Sequence, residues 1–279
     1  MIEVTNCCAI KAVLTSDRTE YKKMEINTDF FQNQDFLIGK RIGDKFKKCE
    51  LLKLSKDTET EYEITDIQIH SERDKKIQQL ILMLRGNYNF EGFIHTTELN
   101  NFKSIIKEGR LISRNSLLSR KINFKDRANH DVLLGTNDYV KSCCRFYYTY
   151  DTPTNYRACY GKKVSMVFDE ALAYNSKAKF APQNACFGKF SCQIENVLKY
   201  DWEGIFERGC HSSSKYSKQY EGEELKRKIV ATRNAEFLIY GEVPISFIKK
   251  IIVYDKNVYE EMRSICDDSL FKKVVLREE

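Results

Sequence analysis

The chain has no run of about 18 uninterrupted apolar residues, the length that a membrane-spanning helix needs. Its opening, MIEVTNCCAIKAVL, also lacks the basic segment and small-residue cleavage site of a secretory signal. The expectation is a cytoplasmic protein with no membrane segment. Ten cysteines include no C-x-x-C pair, and only Cys210 stands beside a histidine, His211, which argues against a zinc site. In a reducing compartment Cys7, Cys8, Cys143 and Cys144 read as small apolar fillers, and no cysteine has the setting of a nucleophile. There is no internal repeat and no low-complexity tract. What remains is 279 residues, 42% of them hydrophobic, enough for a proper core in one large domain or two smaller ones.

Net charge is +6, compatible with a nucleic-acid partner without requiring one. Its local distribution says more. Lys215, Lys218, Lys226, Arg227, Lys228 and Arg233 lie in one stretch with Tyr216 and Tyr220, against Glu221, Glu223 and Glu224. Cations that track phosphates, mixed with rings that stack on bases, suit a flexible single strand. A solvated helix surface would look the same on charge alone.

One carboxylate stands out. Glu236 sits among Ala235, Phe237, Leu238, Ile239 and Tyr240, a segment that reads as a buried strand reaching Pro244. Burying an unpaired carboxylate costs several kcal/mol, so this one is either ion-paired for stability or kept for chemistry.

Residues 1–70 alternate in the manner of short strands, with a turn at Ile42-Gly43-Asp44. At 72–86 the period changes: Ile77, Leu80, Ile81 and Leu84 predict an amphipathic helix. The boundary is expected near Tyr88, giving a small β-rich domain (1–88) and a second domain (89–279). In the latter, Phe93-Ile94-His95 predicts a strand. It leads to a helix with Thr97 or Asn100 as N-cap, Leu99, Phe102, Ile105 and Ile106 inward, and Gly109 at its end. Residues 114–137 read as loop-rich. Residues 146–148, 164–168, 235–240 and 248–254 read as strands, and Val258, Met262 and Ile265 mark a closing helix. The pattern predicts a mixed α/β or α+β fold without a regular βαβ repeat.

The stretch FIHTTELNNFKSIIKEGRL (93–111) resembles the opening motif of the DarT family, toxin ADP-ribosyltransferases that modify bases in single-stranded DNA. Similar pieces follow in order. They are Arg127–Val132; the aromatic segment from Phe146 to Pro153 with Tyr156; Asp201-Trp202-Glu203-Gly204-Ile205; and EELKRK, AEFLIYGEVP and IKKIIVY at the end. The resemblance covers roughly residues 93–266. It implies an α+β fold: an ADP-ribosyltransferase-like split mixed β-sheet with flanking helices, here preceded by the β-rich domain. Departures are Glu98 for the family's second histidine, Asp151 for an arginine in the aromatic segment, Ile245 for a tryptophan, and Lys141–Arg145 intervening before that segment. Near the start, Gly39-Lys40-Arg41-Ile42-Gly43-Asp44 is faintly similar to a hairpin in the C-terminal domain of bacterial transcript-cleavage factors. An unrelated β module that docks a partner or positions substrate is the alternative.

The resemblance implies an NAD-dependent transfer of ADP-ribose to thymine or guanine in single-stranded DNA, with nicotinamide released and no metal involved. Leaving of nicotinamide gives an oxocarbenium-like transition state, which a carboxylate on the ribose 2′-hydroxyl stabilises. Glu236 takes that role. His95 and Thr97 are expected at a ribose and the nicotinamide amide, Asn101 in the same pocket and Tyr148 under the nicotinamide. Arg127 is expected at the pyrophosphate, where it also helps the base lose its proton. Lys226, Arg227 and Arg233, just before the glutamate strand, become candidates for DNA phosphates. A macrodomain antitoxin is the implied partner. Two readings compete: the same fold acting on RNA or protein, and a nucleic-acid-binding module with a decayed transferase site.

Overall fold

A computed structural model of the chain describes the strands between residues 2 and 68 by their backbone. It describes residues 73–126, 133–150, 152, 162–207 and 214–277 with their side chains. The chain divides into two compact units, 1–78 and 79–279.

The first unit is β-rich, as its alternation predicts. Strands β1 (Ile2–Thr5), β2 (Ala9–Val13), β3 (Lys23–Asn27) and β6 (Glu61–Tyr62) form one antiparallel sheet in the order β3-β2-β1-β6. Strands β4 (Phe36–Ile42), β5 (Lys45–Leu52) and β7 (Asp66–Gln68) form another, with β4 in the middle. Helix α1 (Glu72–Tyr88) follows the period of its apolar residues, but the division falls inside it rather than after Tyr88. Its last turns explain why: Leu80, Ile81 and Leu84 are buried, the Leu84 carbonyl accepts from the Phe90 amide at 3.2 Å, and Phe90 packs edge-on against Phe93.

The second unit is built on a seven-stranded mixed sheet. Its strands in chain order are β8 (Phe93–Glu98), β10 (Cys143–Tyr147), β11 (Lys163–Phe168), β12 (Ala178–Ala181), β13 (Glu236–Tyr240), β15 (Ile248–Val253) and β16 (Val274–Leu276). They stand side by side as β12-β13-β10-β8-β11-β15-β16. Only β15 and β16 run parallel. A small ribbon pairs β9 (Arg110–Ile112) with β14 (Glu242–Pro244). Among the described residues the remaining α-helices are α2 (Leu99–Glu108), α3 (Arg114–Ser119), α4 (Asp138–Lys141), α5 (Ile194–Val197), α6 (Trp202–Phe206), α7 (Gly222–Arg233), α8 (Lys256–Ile265) and α9 (Asp268–Phe271).

The sheet is split where the site will lie. β8 and β11 pair along their whole length, as do β10 and β13, yet β8 and β10 share only the pair Ile94–Tyr147 and then diverge. Helix α2 closes one side of that opening because Leu99, Phe102 and Ile105 are buried on one face. Gly109 then ends the helix in a left-handed conformation (φ 67°), its N–H donating to the Ile106 carbonyl. The N-cap is Glu98 rather than Thr97 or Asn100, because Thr97 is still paired in β8, and Ile106 is only half-buried. Of the described residues in the 114–137 stretch, Arg114–Ser119 form α3. Val258 and Met262 bury the closing helix as expected. Among the described residues no helix is long and apolar enough to cross a membrane.

Candidate active site

The divergence of β8 and β10 opens a cavity of about 240 Å³. Its walls include His95, Thr97 and Glu98 of β8, Asn101 and Ile105 of α2, Arg114 of α3, the 122–126 segment, and Cys143–Arg145 of β10. Three residues taken from the sequence, His95, Thr97 and Asn101, thus meet in one place.

Glu236 lies beside this cavity with no exposed surface. The register that pairs Tyr147 with Glu236 and Arg145 with Leu238 makes Arg145 the diagonal neighbour of Glu236 on the same sheet face. The guanidinium grips the carboxylate: Arg145 Nη2 donates to Glu236 Oε1 at 2.6 Å and to Oε2 at 2.8 Å, and Nε to Oε2 at 3.2 Å. The Ala185 amide adds a bond to Oε2 at 2.9 Å, and Arg145 Nη2 also donates to Asn184 Oδ1 at 3.0 Å. Burial disfavours the charge on Arg145, but the facing carboxylate outweighs it and raises its pKa. Of the two roles open to a buried carboxylate, the structure therefore shows an ion pair, set directly against a cavity. Arg145 itself lines that cavity and its side chain is 28% exposed.

His95 closes the ring of contacts. Its Nδ1 lies 3.0 Å from the Arg145 carbonyl, which only accepts, so Nδ1 carries the proton and Nε2 is the acceptor. Burial first, and the charge of Arg145, lower its pKa, which keeps the ring neutral near pH 7. Asn101 shapes the wall by pairing with the Lys125 main chain, donating to its carbonyl at 2.9 Å and accepting from its amide at 2.8 Å. Four cations around the cavity each face an acid: Arg110–Glu242, Arg114–Asp126, Lys125–Glu98 and Arg145–Glu236. Glu98, the family's histidine position, is therefore the partner of Lys125 at 3.4 Å.

Tyr148 and the α7 cations do not line this cavity. Tyr148 is 2% exposed and stands edge-on to Trp202 with ring centroids 5.0 Å apart, away from the cavity. Strand alternation turns it to the opposite face from Arg145, where its hydroxyl donates to the Glu236 main-chain carbonyl at 3.2 Å. Arg127 lies outside the described residues, as do Asp151 and Tyr156. On α7, Lys226 and Arg227 are exposed, Lys226 pairing with Glu223 at 2.5 Å, while Arg233 is half-buried. Cys143 and Cys144 are free and buried, and burial pushes the Cys143 thiol up to about 11, in keeping with filler rather than nucleophile.

The sequence pattern does not single out Arg145, since the strand it predicts begins at Phe146 while β10 begins at Cys143. The available signal was a lone cation inside one apolar strand answering a lone carboxylate inside another. The Asp201-Trp202-Glu203-Gly204-Ile205 motif turns out to be an anchor. Asp201 caps α6 through the Gly204 amide at 3.1 Å and accepts from Lys215 and the Tyr216 hydroxyl, fastening the turn that leads to α7. Trp202 donates to the Val197 carbonyl at 3.1 Å and supports Tyr148. A split mixed sheet, with the glutamate on the strand that follows α7, is the layout that the motif order anticipated.

Comparison with curated proteins gives no match. Among solved structures, Thermus sp. 2.9 DarT in complex with ADP-ribosylated ssDNA is similar over 67% of this chain and 93% of its own, at 20% identity and a TM-score of 0.51, a likeness of fold. The same Thermus protein in complex with NAD+ matches at 19% identity and a TM-score of 0.49, over 67% of this chain and 94% of that one. Thermosipho africanus DarTG in complex with ADP-ribose matches at 14% identity and a TM-score of 0.48, over 68% and 50%. The family model described as "ssDNA thymidine ADP-ribosyltransferase, DarT" matches residues 94–279, all of the split sheet but Phe93, together with helices α2 to α9, and by that match this chain belongs to the DarT family.

Proposed function

We propose that the chain transfers ADP-ribose from NAD to thymine in single-stranded DNA, that Glu236 is its catalytic carboxylate, and that a macrodomain antitoxin partner removes the mark. Thymine is preferred over guanine because the family description names thymidine. The observation that carries the site assignment is a fully buried carboxylate on β13, one side chain away from a cleft lined by His95, Thr97 and Asn101.

In this reaction the bond from nicotinamide nitrogen to ribose C1′ breaks and its electron pair stays with nicotinamide. A thymine ring nitrogen bonds to C1′ and loses its proton. Positive charge spreads over the ribose as the leaving group departs, and Glu236 opposes it by accepting from the 2′-hydroxyl. His95 Nε2 is the acceptor for a second hydroxyl, its tautomer set by the Arg145 carbonyl. Thr97 and Asn101 complete the nucleotide's walls, and Tyr148 steadies the glutamate strand from behind. Arg127 keeps the pyrophosphate and proton-transfer roles that the resemblance implies. Lys226, Arg227 and Arg233, on the helix ahead of β13, are offered to the DNA phosphates, and the base must be unpaired to expose its nitrogen.

The test is labelled NAD with separate pools of thymine-containing single-stranded DNA, RNA and protein. Label is expected in the DNA, and Glu236→Gln is expected to lower the rate on the order of 10²–10³-fold with the fold intact by circular dichroism. Label confined to RNA or protein would move the reading to the same chemistry on another acceptor.

A further inference from the structure

Arg145 occupies an awkward position for an enzyme that stabilises a cationic ribose. Its guanidinium engages both oxygens of Glu236 at 2.6 and 2.8 Å, so the carboxylate has little left for a developing positive charge. Arg145 reaches the cavity, while Glu236 has no exposed surface. We infer that the two form an exchangeable pair: with the cleft empty Arg145 holds Glu236, and a nucleoside diphosphate entering the cavity takes the guanidinium over, leaving the carboxylate to the ribose. The catalytic half of this statement rests on the function proposed above; the exchange itself does not.

The surroundings fit a side-chain swing rather than a moving strand. The Arg145 main chain is fixed by β13 on one side and by the His95 ring on its carbonyl. Once the guanidinium leaves, Glu236 still keeps the Ala185 amide at 2.9 Å, and a ribose hydroxyl supplies a second donor. Diphosphate is a suitable competitor, since guanidinium binds phosphate in the same forked manner as carboxylate. Arg110, Arg114 and Lys125 also border the cavity, but their acids are not the group that the reaction needs. The device would keep the carboxylate occupied until the nucleotide is seated.

Competition for one guanidinium has a thermodynamic signature. A ligand that must first free its partner binds more weakly than its intrinsic affinity, and removing the competitor restores it. Calorimetric titration with ADP is therefore expected to show tighter binding to Glu236→Gln than to the unaltered protein, on the order of 10-fold, within the range usual for coupled sites. In Arg145→Gln the same Glu236→Gln change should have no effect, and adenosine should bind all four proteins alike. Equal or weaker ADP binding by Glu236→Gln overturns the inference, and so does a gain that persists without Arg145. Should a variant fail to fold, the unaltered protein crystallised with ADP decides. Arg145 is expected on the diphosphate and more than about 4 Å from Glu236, beyond ion-pair reach; an intact Arg145–Glu236 bridge with ADP bound overturns it. Neither measurement uses DNA or nicotinamide release, so loss of the transferase reading would leave this result standing.

Discussion

The two faces of strand β13 differ as much as any two regions of this molecule. On one, Phe237 lies flat on Phe93 with centroids 3.7 Å apart and touches Phe146 and Phe180, all without exposed surface. On the other, one residue earlier, Glu236 meets the Ala185 amide and Arg145, whose guanidinium also donates to Asn184. The first face is held by apolar burial and ring packing. The second spends stability: a buried charge and its counter-ion rarely outperform apolar side chains of the same volume. A single step along a strand, which turns a side chain to the other face, separates the residue that holds the sheet from the residue proposed for catalysis.

That separation is sharpest if the two positions are altered in turn. Phe237→Ala is expected to cost about 3–5 kcal/mol in denaturant unfolding, with the turnover of the folded fraction little changed. Glu236→Gln is expected to lower the turnover of the folded fraction on the order of 10²–10³-fold, in addition to the stability lost with the Arg145 pair. Equal losses of turnover in both would show that the faces are not independent.

Gly204 tests the motif that steadies the approach to β13. A Cβ there would stand 2.9 Å from Tyr216 Cζ and 3.0 Å from Asp201 Oδ2, so Gly204→Ala is expected to destabilise by about 1–3 kcal/mol, read as a lower melting temperature. An unchanged melting temperature would mean that Tyr216 yields freely.

His95 links the charged face to pH. Its pKa in the folded protein is lowered from the ordinary 6.5, mainly by burial. Below about pH 6.5 the unfolded chain takes up a proton that the folded chain refuses, so stability is full above that pH and falls as the solution is acidified. The slope is at most about 1.4 kcal/mol per pH unit. His95→Gln should lack this component in urea unfolding at pH 7.5, 6.5 and 5.5; identical slopes would remove His95 from the balance.

The smallest effect is expected at Lys226, exposed and paired only across one turn of α7 in the described contacts. Lys226→Ala should change stability by no more than about 0.5 kcal/mol. If the residue meets a DNA phosphate, the salt dependence of single-strand binding should flatten by roughly 0.7 in log–log slope. An unchanged slope would put the DNA elsewhere.

Much of this architecture was legible beforehand, and for identifiable reasons. Apolar residues at helical spacing marked α2 and α8, and β-branched runs marked β11 and β15, because both patterns reflect burial on a regular backbone. The ends of elements were less legible. Glu98 caps α2 instead of Thr97 because β8 runs directly into the helix, and the domain division enters α1 because Leu80 and Leu84 are buried with the second unit. His95, Thr97 and Asn101 were found by motif order, and the structure gathers them around one cavity. Tyr148 belongs to the same motif order and packs against Trp202 on the opposite face from Arg145.

By itself the amino-acid sequence determined that a charge would be buried at position 236, since no folded arrangement of AEFLIY leaves all its apolar neighbours inside and that carboxylate in water. Which cation would meet it was decided only by the tertiary structure. Arg145 stands 91 residues away, and its selection depends on the register of β10 against β13 and on β8 parting from β10 after a single pair. Local periodicity sets which residues are hidden; the pairing of distant strands sets what they face.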